Sequence, residues 1–115
     1  MTLVCYHGTT PYNINQERVD LILKTISDPD RRKIISCIKN ESKTVIQISK
    51  DTGLPISNVY RKIGELDAKK LLISSGVVSP EKNRKEFKYK SKIRKVVVEF
   101  DDDVFDVKIY SNMRN

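Results

Sequence analysis

Few side chains in this sequence have the types and spacing that catalysis needs. The single histidine, His7, lies two residues after Cys5, and the chain contains no GxSxG, HExxH, GxGxxG or P-loop motif. Cys5 and His7 are soft-metal ligand types, but two ligands do not complete a metal site. The sequence therefore predicts a protein that is not an enzyme and that requires neither a metal nor another cofactor.

Two further groups of reactive side chains fit simpler roles. Cys37 falls on an apolar stripe, which favours a small core residue over a sensor thiol. Cys5 and Cys37 stand far apart with no second cysteine near either, so we expect reduced thiols. The run Asp101 to Asp103 lacks the ligand spacing and the glycine of a calcium loop, which indicates a polar hairpin turn.

Positive charge is the clearest chemical feature of the chain. Its formal net charge is +7, and residues 74 to 95 contain eight basic residues against two acidic ones. Such a surplus favours nucleic acid or an anionic membrane surface as the partner. No apolar run approaches the roughly 20 residues of a membrane-spanning helix, and the N-terminus lacks the features of a signal peptide. We therefore expect a cytoplasmic protein with a nucleic-acid partner and no membrane partner.

The elements that would position this charge begin with two amphipathic helices. Apolar residues at helical spacing predict a first helix over residues 16 to 27, capped by Asn13 or Asn15. Asp28 and Pro29 then offer an N-cap and a proline at the first helical position, which predicts a second helix ending near Asn40. Arg31 and Arg32 at its start would either approach a nucleic-acid backbone or balance Asp28 and Asp30.

A short helix and a longer one follow. Thr44 and Gln47 match a capping box, Gly53 ends the short helix, and its inner face is predicted to be Val45, Ile46 and Ile48. From Ile56 onward, apolar residues recur at helical spacing: Val59, Ile63 and Leu66. Two helices joined by a short turn with a glycine are typical of the helix-turn-helix unit, whose second helix lies in the DNA major groove.

The outward positions of this longer helix carry side chains that can contact DNA. Arginine bridges two acceptors of guanine, and asparagine pairs with adenine. The residues predicted to contact bases and phosphates are Ser57, Asn58, Tyr60, Arg61 and Lys62. The alternative is an ordinary solvated helix face.

Downstream the apolar pattern changes from helical spacing to alternation. Residues 72 to 79 and 86 to 91 are predicted to form two strands joined by a polar turn. Because this hairpin has the densest positive charge, we expect it to contact phosphates or the minor groove. The residues concerned are Lys82, Asn83, Arg84, Lys85 and Lys88. The alternative is a solvated turn.

A second hairpin is predicted near the C-terminus. If Phe100 pairs with Phe105, one face of the hairpin becomes wholly apolar, with Val98 opposite Val107 and Val96 opposite Ile109. An isolated hairpin is marginal in water, so this face needs cover from the first helix or from the same hairpin of a second subunit. The N-terminal arm, with Leu3, Val4 and Tyr6, is a candidate for a further strand.

These elements predict an α+β fold. Residues 1 to 14 form an N-terminal arm, and residues 15 to 92 form a winged helix-turn-helix domain of about four helices with a β-hairpin wing. Residues 93 to 112 form an additional C-terminal β-hairpin that packs on this domain or mediates dimerisation.

Two segments, ISDPDRRKIISCIKN and TVIQISKDTGLPISNVYRKIGELDAKKLL, together with the basic hairpin, resemble the ArsR-like winged-helix repressors over residues 16 to 92. The resemblance implies a dimer that binds operator DNA, with the helix that begins near Pro55 as its recognition helix. The chain departs from the family in two places. It has no cysteine pair between Thr44 and Thr52, and residues 93 to 110 are predicted to be strands where many members have a dimerising helix.

Taken together, these patterns predict a sequence-specific double-stranded DNA-binding transcriptional regulator that acts as a dimeric repressor. One alternative is a winged-helix interaction module that docks on the transcription machinery. Another is an architectural protein that coats DNA without sequence preference.

Overall fold

The structure is a computed structural model that describes residues 2–7, 10–79, 81 and 84–112, with side chains described for 4, 14–76, 81 and 85–112. It confirms the α+β class. Its elements are β1 (Thr2–His7), β2 (Thr10–Asn13), α1 (Gln16–Ile26), α2 (Pro29–Cys37), α3 (Val45–Thr52), α4 (Ile56–Ala68), β3 (Leu72–Ser79), β4 (Arg84–Ser91), β5 (Ile93–Asp101) and β6 (Val104–Ser111). Among the described helices, none is long and apolar enough to cross a membrane.

The predicted capping signals start the first three helices. The side chain of Asn15 accepts a hydrogen bond from the Arg18 N–H, and that of Asp28 accepts one from the Arg31 N–H. Thr44 and Gln47 form both halves of the capping box that starts α3. Gly53 ends α3 with a φ of 77°, a left-handed conformation that glycine adopts without steric cost.

The second helix ends at Cys37 and not near Asn40 as predicted. The cause is tertiary, because the Ser91 N–H donates to the Ile38 carbonyl at 2.9 Å. Lys43 and Tyr89 then exchange two backbone hydrogen bonds of 3.0 and 2.8 Å. The segment after α2 is thereby held against β4, and the helix does not continue.

One apolar core joins the helices to both sheets. Its buried members are Val19, Ile22, Ile34, Ile35, Ile38, Val45, Ile48, Val59, Ile63, Leu66, Leu71, Leu72, Ile93, Val107 and Ile109. The last three come from β5 and β6, so the C-terminal hairpin is part of the same core as the helices.

The described strands form two sheets. β3 and β4 pair antiparallel as a separate hairpin, in which β4 begins at Arg84, earlier than the predicted Glu86. The other sheet has the order β2-β1-β6-β5, with β1 parallel to β6. The N-terminal arm thus forms the further strand for which it was a candidate, β1, and also the shorter strand β2.

The predicted register of the C-terminal hairpin is confirmed. Phe100 pairs with Phe105, and the two other predicted pairs, Val98 with Val107 and Val96 with Ile109, are present. Cover for the apolar face is only partial, because Val107 and Ile109 are buried whereas Val98 and Phe100 keep 44% and 78% of their surface exposed.

Candidate nucleic-acid interface

Helix α4 presents a polar face to solvent beside α3. The connection between the two helices consists of residues 53 to 55, and α4 buries Val59, Ile63 and Leu66 in the core. Of the five residues predicted to contact DNA from this helix, Ser57, Tyr60 and Arg61 are exposed and Asn58 is half-buried.

The outward orientation predicted for Lys62 is wrong. This residue is only 8% exposed, and its Nζ lies 2.8 Å from Oδ2 of Asp28. Position 62 belongs to the same inner stripe as Val59 and Ile63, so the aliphatic stem of the lysine is buried and its ammonium group reaches the carboxylate at the start of α2. Lys62 therefore fixes α4 to α2 and is not available to a ligand.

A second ion pair between α2 and α4 involves Arg31. Its Nη2 lies 2.7 Å from Oε2 of Glu65, and its Nε is 3.9 Å from Asp28. The Arg31 guanidinium holds the pKa of Glu65 below its ordinary value. Arg31 thus pairs within the domain with Asp28, as the charge-balance alternative predicted, and with Glu65. Arg32 is exposed, and its guanidinium donates to the Ile26 carbonyl at 2.7 Å.

Arg61 is the most accessible cation among the predicted α4 residues. Its side chain is 61% exposed, and its contact with Glu65 is a long one of 3.9 Å. A long, exposed ion pair of this kind contributes little stability, so the guanidinium is free to exchange Glu65 for another acceptor.

The two ends of α4 differ in their capping. At the N-terminus, Pro55 provides no side-chain hydrogen bond, in contrast to the caps of the three preceding helices. The Asn58 N–H donates to the Pro55 carbonyl at 3.0 Å, whereas the N–H groups of Ile56 and Ser57 donate to no capping side chain among the described residues. Amide groups of this kind at a helix N-terminus attract phosphate. At the C-terminus, the Arg18 guanidinium donates to the carbonyls of Lys69 and Lys70 at 2.7 and 2.9 Å. Sequence reasoning missed this contact because it joins residues far apart along the chain.

The predicted wing contacts lie only partly within the described residues. Lys82 and Asn83 lie outside them, as does the side chain of Arg84, although the backbone of Arg84 opens β4. Lys85 is exposed, with its Nζ 5.2 Å from the centre of the Phe87 ring, and Lys88 is half-buried.

A cleft of about 350 Å³ separates the wing from α3 and α4. Its lining residues are Thr44, Val45, Ile46, Tyr60, Lys85, Glu86, Phe87 and Tyr89. Ile46 was predicted to face inward with Val45, but it is exposed and lines this cleft. Burial raises the pKa of Tyr89 above its ordinary value, with smaller contributions from Asp67 and Tyr60.

The remaining reactive side chains do not form a site among the described residues. Cys37 is half-buried, and the Nζ of Lys43 lies 3.6 Å from its Sγ and 2.7 Å from Oδ2 of Asp51. The hydrogen bond to Asp51 raises the pKa of Lys43. Within the described part of the chain, no three His, Cys, Asp or Glu side chains cluster as metal ligands would, and the side chains of Cys5 and His7 lie outside that part.

Comparison with models of known protein families gave no match, and comparison with curated proteins gave none either. The resemblance to the ArsR-like repressors therefore depends on the sequence segments quoted above.

Proposed function

We propose that this protein is a sequence-specific double-stranded DNA-binding transcriptional regulator with a winged helix-turn-helix fold. In this proposal α3 and α4 are the helix-turn-helix unit and the hairpin of β3 and β4 is the wing. The observation that carries it is the exposed polar face of α4, with Ser57, Tyr60 and Arg61, on the second helix of that unit.

Several features of the molecule support a nucleic-acid partner. The core residues of α4 anchor the helix against the rest of the domain, so its exposed side chains stand on a packed element. The uncapped N-terminus of α4 suits a phosphate, and Arg61 suits a guanine edge in the major groove. Lys85 lies near the start of β4, beside the turn of the wing, where positive charge would fix the position of the protein on the duplex.

The ArsR-like resemblance extends the proposal to a dimeric repressor. A dimer would place two copies of α4 in half-sites about 34 Å apart, and its operator would be a pseudo-palindrome. Since residues 93 to 111 form strands and not a helix, the dimer would differ in geometry from those family members that pair through a C-terminal helix.

Selection of preferred sites from random duplex DNA, followed by fluorescence anisotropy, tests this function. Arg61→Ala should weaken binding to the selected site by about 1 to 3 kcal/mol and binding to random DNA much less. Lys108→Ala is the matched control, because it removes the same charge from an exposed position on β6. Equal losses on selected and random DNA would reduce Arg61 to a phosphate contact, and failure to enrich any site would favour the architectural alternative.

One observation favours a second candidate function, an interaction module of the transcription machinery. Ile46, Tyr60 and Phe87 are exposed around the cleft, and exposed apolar side chains grouped in a concave surface are typical of protein-binding sites. In that case, purified RNA polymerase with its basal factors should retain the wild-type protein but not Phe87→Ser, and Arg61→Ala should have no effect on DNA binding.

A further inference from the structure

The outer edge of β5 is unpaired among the described strands, because β5 stands at the end of the sheet order. The hairpin loop between β5 and β6 has two residues, so Asp101 and Val104 form its hydrogen-bonded closing pair. Hydrogen-bonded pairs alternate along an antiparallel ladder. The N–H and C=O groups of Val96, Val98 and Phe100 therefore point away from β6, toward this open edge.

The side chains along this edge are unusually apolar for a free strand. Val97, Val98 and Phe100 are 38%, 44% and 78% exposed. Exposed edge strands with apolar side chains are templates for pairing with another chain. The only charges between residues 95 and 99 are at its two ends, Lys95 and Glu99.

The other described edges are poorer templates. β2, at the opposite end of the sheet, has four residues and contains Pro11, which has no N–H to donate. The outer edge of β4 is partly occupied, because Tyr89 exchanges two backbone hydrogen bonds with Lys43. β3 has an open edge as well, but it contains no charged residue, so no charge pairing selects a register there.

We propose that β5 pairs antiparallel with β5 of a second copy of this chain, around a two-fold axis at Val97. This pairing sets Lys95 opposite Glu99 of the partner subunit, twice, and Val96 opposite Val98 of the partner subunit, also twice. It satisfies the outward backbone groups at Val96 and Val98 and joins the two four-stranded sheets into one.

Charge complementarity selects this register. Moving the axis to residue 95 or 99 would set two lysines or two glutamates opposite each other, and like charges directly opposite are destabilising. Moving it to residue 98 would set Glu99 opposite Val97. Lys95 lies on the same face of the sheet as Val97 and Glu99, because side chains alternate along a strand. Its Nζ lies 5.4 Å from the centre of the Tyr110 ring on β6 and turns from that ring to Glu99 of the partner subunit in the proposed pair.

This pairing is the interface that we assign to the dimer of the proposed function, and its role in regulation rests on that function. The pairing itself can be measured without DNA. In sedimentation equilibrium, Lys95→Glu and Glu99→Lys should each weaken dimerisation roughly tenfold or more, because each replaces two attractive pairs by two repulsive ones. The double variant should dimerise like the wild type. An equimolar mixture of the two single variants should form heterodimers.

Lys50→Glu is the matched control, since it makes the same charge change at an exposed position on α3, outside the four-stranded sheet, and should leave dimerisation unchanged. Circular dichroism of every variant establishes that it is folded. Single variants that dimerise as tightly as the wild type, a double variant that does not recover, or a wild-type chain that stays monomeric at its highest soluble concentration would each overturn the proposal.

Disulfide trapping tests the register separately. In a non-hydrogen-bonded antiparallel pair the Cα atoms are about 4.5 Å apart, within the range that a disulfide spans. Val97→Cys should therefore cross-link two chains under mild oxidation, at a rate at least about tenfold above that of Glu99→Cys, whose position faces Lys95 of the partner subunit. The wild-type chain measures the background from its two native cysteines, and equal cross-linking of both variants would contradict the register.

The outcomes for this interface and for the proposed function are distinguishable. If Arg61→Ala loses specific DNA binding and the charge variants do not affect dimerisation, the proposed function is supported and this interface is contradicted. Charge-dependent dimerisation without DNA binding would retain the interface and remove the function.

Discussion

Asp28 has two structural roles at the scale of a single residue. It caps α2 through the Arg31 N–H, and its carboxylate accepts a hydrogen bond from Lys62 on α4. The Lys62 hydrogen bond is the main cause that lowers the pKa of Asp28, and the Arg31 N–H lowers it further, against the opposing effect of burial. One carboxylate thus joins the start of α2 to the middle of the helix proposed to bind DNA.

The lowered pKa predicts how stability depends on pH. A carboxyl group with a lower pKa in the folded than in the unfolded chain stabilises the fold above its unfolded pKa, and this contribution disappears as the pH falls through the folded pKa. We expect the free energy of unfolding, measured with urea, to decrease below about pH 4. Asp28→Asn should lower stability at neutral pH and make the acid loss shallower, whereas Asp103→Asn, in the exposed hairpin turn, should do neither.

Lys70 adopts a conformation that favours glycine. Its φ is 60°, and it follows α4 in a turn closed by the Leu71 N–H donating to the Leu66 carbonyl at 3.0 Å. In this region a residue with a Cβ destabilises the folded chain by about 1 to 2 kcal/mol. Glycine avoids this strain, but it loses more conformational entropy on folding, which cancels part of the gain. Lys70→Gly should therefore raise the free energy of unfolding by about 0.5 to 1 kcal/mol.

Lys69→Gly provides the control for that substitution. Lys69 has a φ of −83°, where glycine gives no steric relief, so this variant should be less stable than the wild type in the same urea titration. Equal effects at both positions would show that charge, and not backbone conformation, determines the result.

At the scale of elements, the features that local sequence signals determine were predicted correctly. The features that depend on contacts between distant elements were not. The caps at Asn15, Asp28 and Thr44 depend on residues within one turn, so spacing alone was sufficient to find them. The end of α2 depends on Ser91, and the burial of Lys62 depends on Asp28, both distant along the chain. Helical periodicity also leaves positions at the border of a face ambiguous, which is why Ile46 was predicted to be buried.

The wing is the element on which the electrostatic part of the proposed function depends. Arg84 and Lys85 open β4, next to the turn that joins it to β3. Each phosphate neutralised by a basic side chain adds about 0.9 to the salt dependence of binding. Replacing both residues by alanine should reduce the slope of log K against log salt concentration by about two.

The control for the wing variant removes two charges elsewhere, by Lys24→Ala on α1 with Lys108→Ala on β6, both at exposed positions. Binding of a single duplex measured from low to physiological salt should give the wild-type slope for this control. A wing variant that also retains the wild-type slope would place the hairpin outside the interface.

At the scale of the whole molecule, described residues near the N- and C-termini pair and hydrogen-bond with the rest of the fold. β1 near the N-terminus lies between β2 and β6, and Asn112 donates to the carbonyls of Lys39, after α2, and Ser91. The Lys92 N–H donates to the Leu71 carbonyl at 3.0 Å, which joins the start of the C-terminal hairpin to the end of the helical part. The four-stranded sheet therefore completes the same folding unit as the helices and is not an appendage to them.

This arrangement predicts that a chain ending at Lys92 does not fold stably. It would lose Ile93, Val107 and Ile109 from the core and leave β1 without its parallel partner. Burial of three such side chains contributes together roughly 5 to 9 kcal/mol. That is comparable to the whole stability of an ordinary domain, about 5 to 15 kcal/mol.

Far-ultraviolet circular dichroism during urea titration measures this effect. The truncated chain should lack a cooperative unfolding transition. Phe100→Ser should still unfold cooperatively, at a midpoint only slightly below that of the wild type, because Phe100 is exposed and loses only its edge-on contact with the Phe105 ring. A truncated chain with the wild-type midpoint would show that residues 16 to 92 are stable alone. The hairpin would then serve only as a surface for a partner, since its three core residues would contribute nothing to the fold.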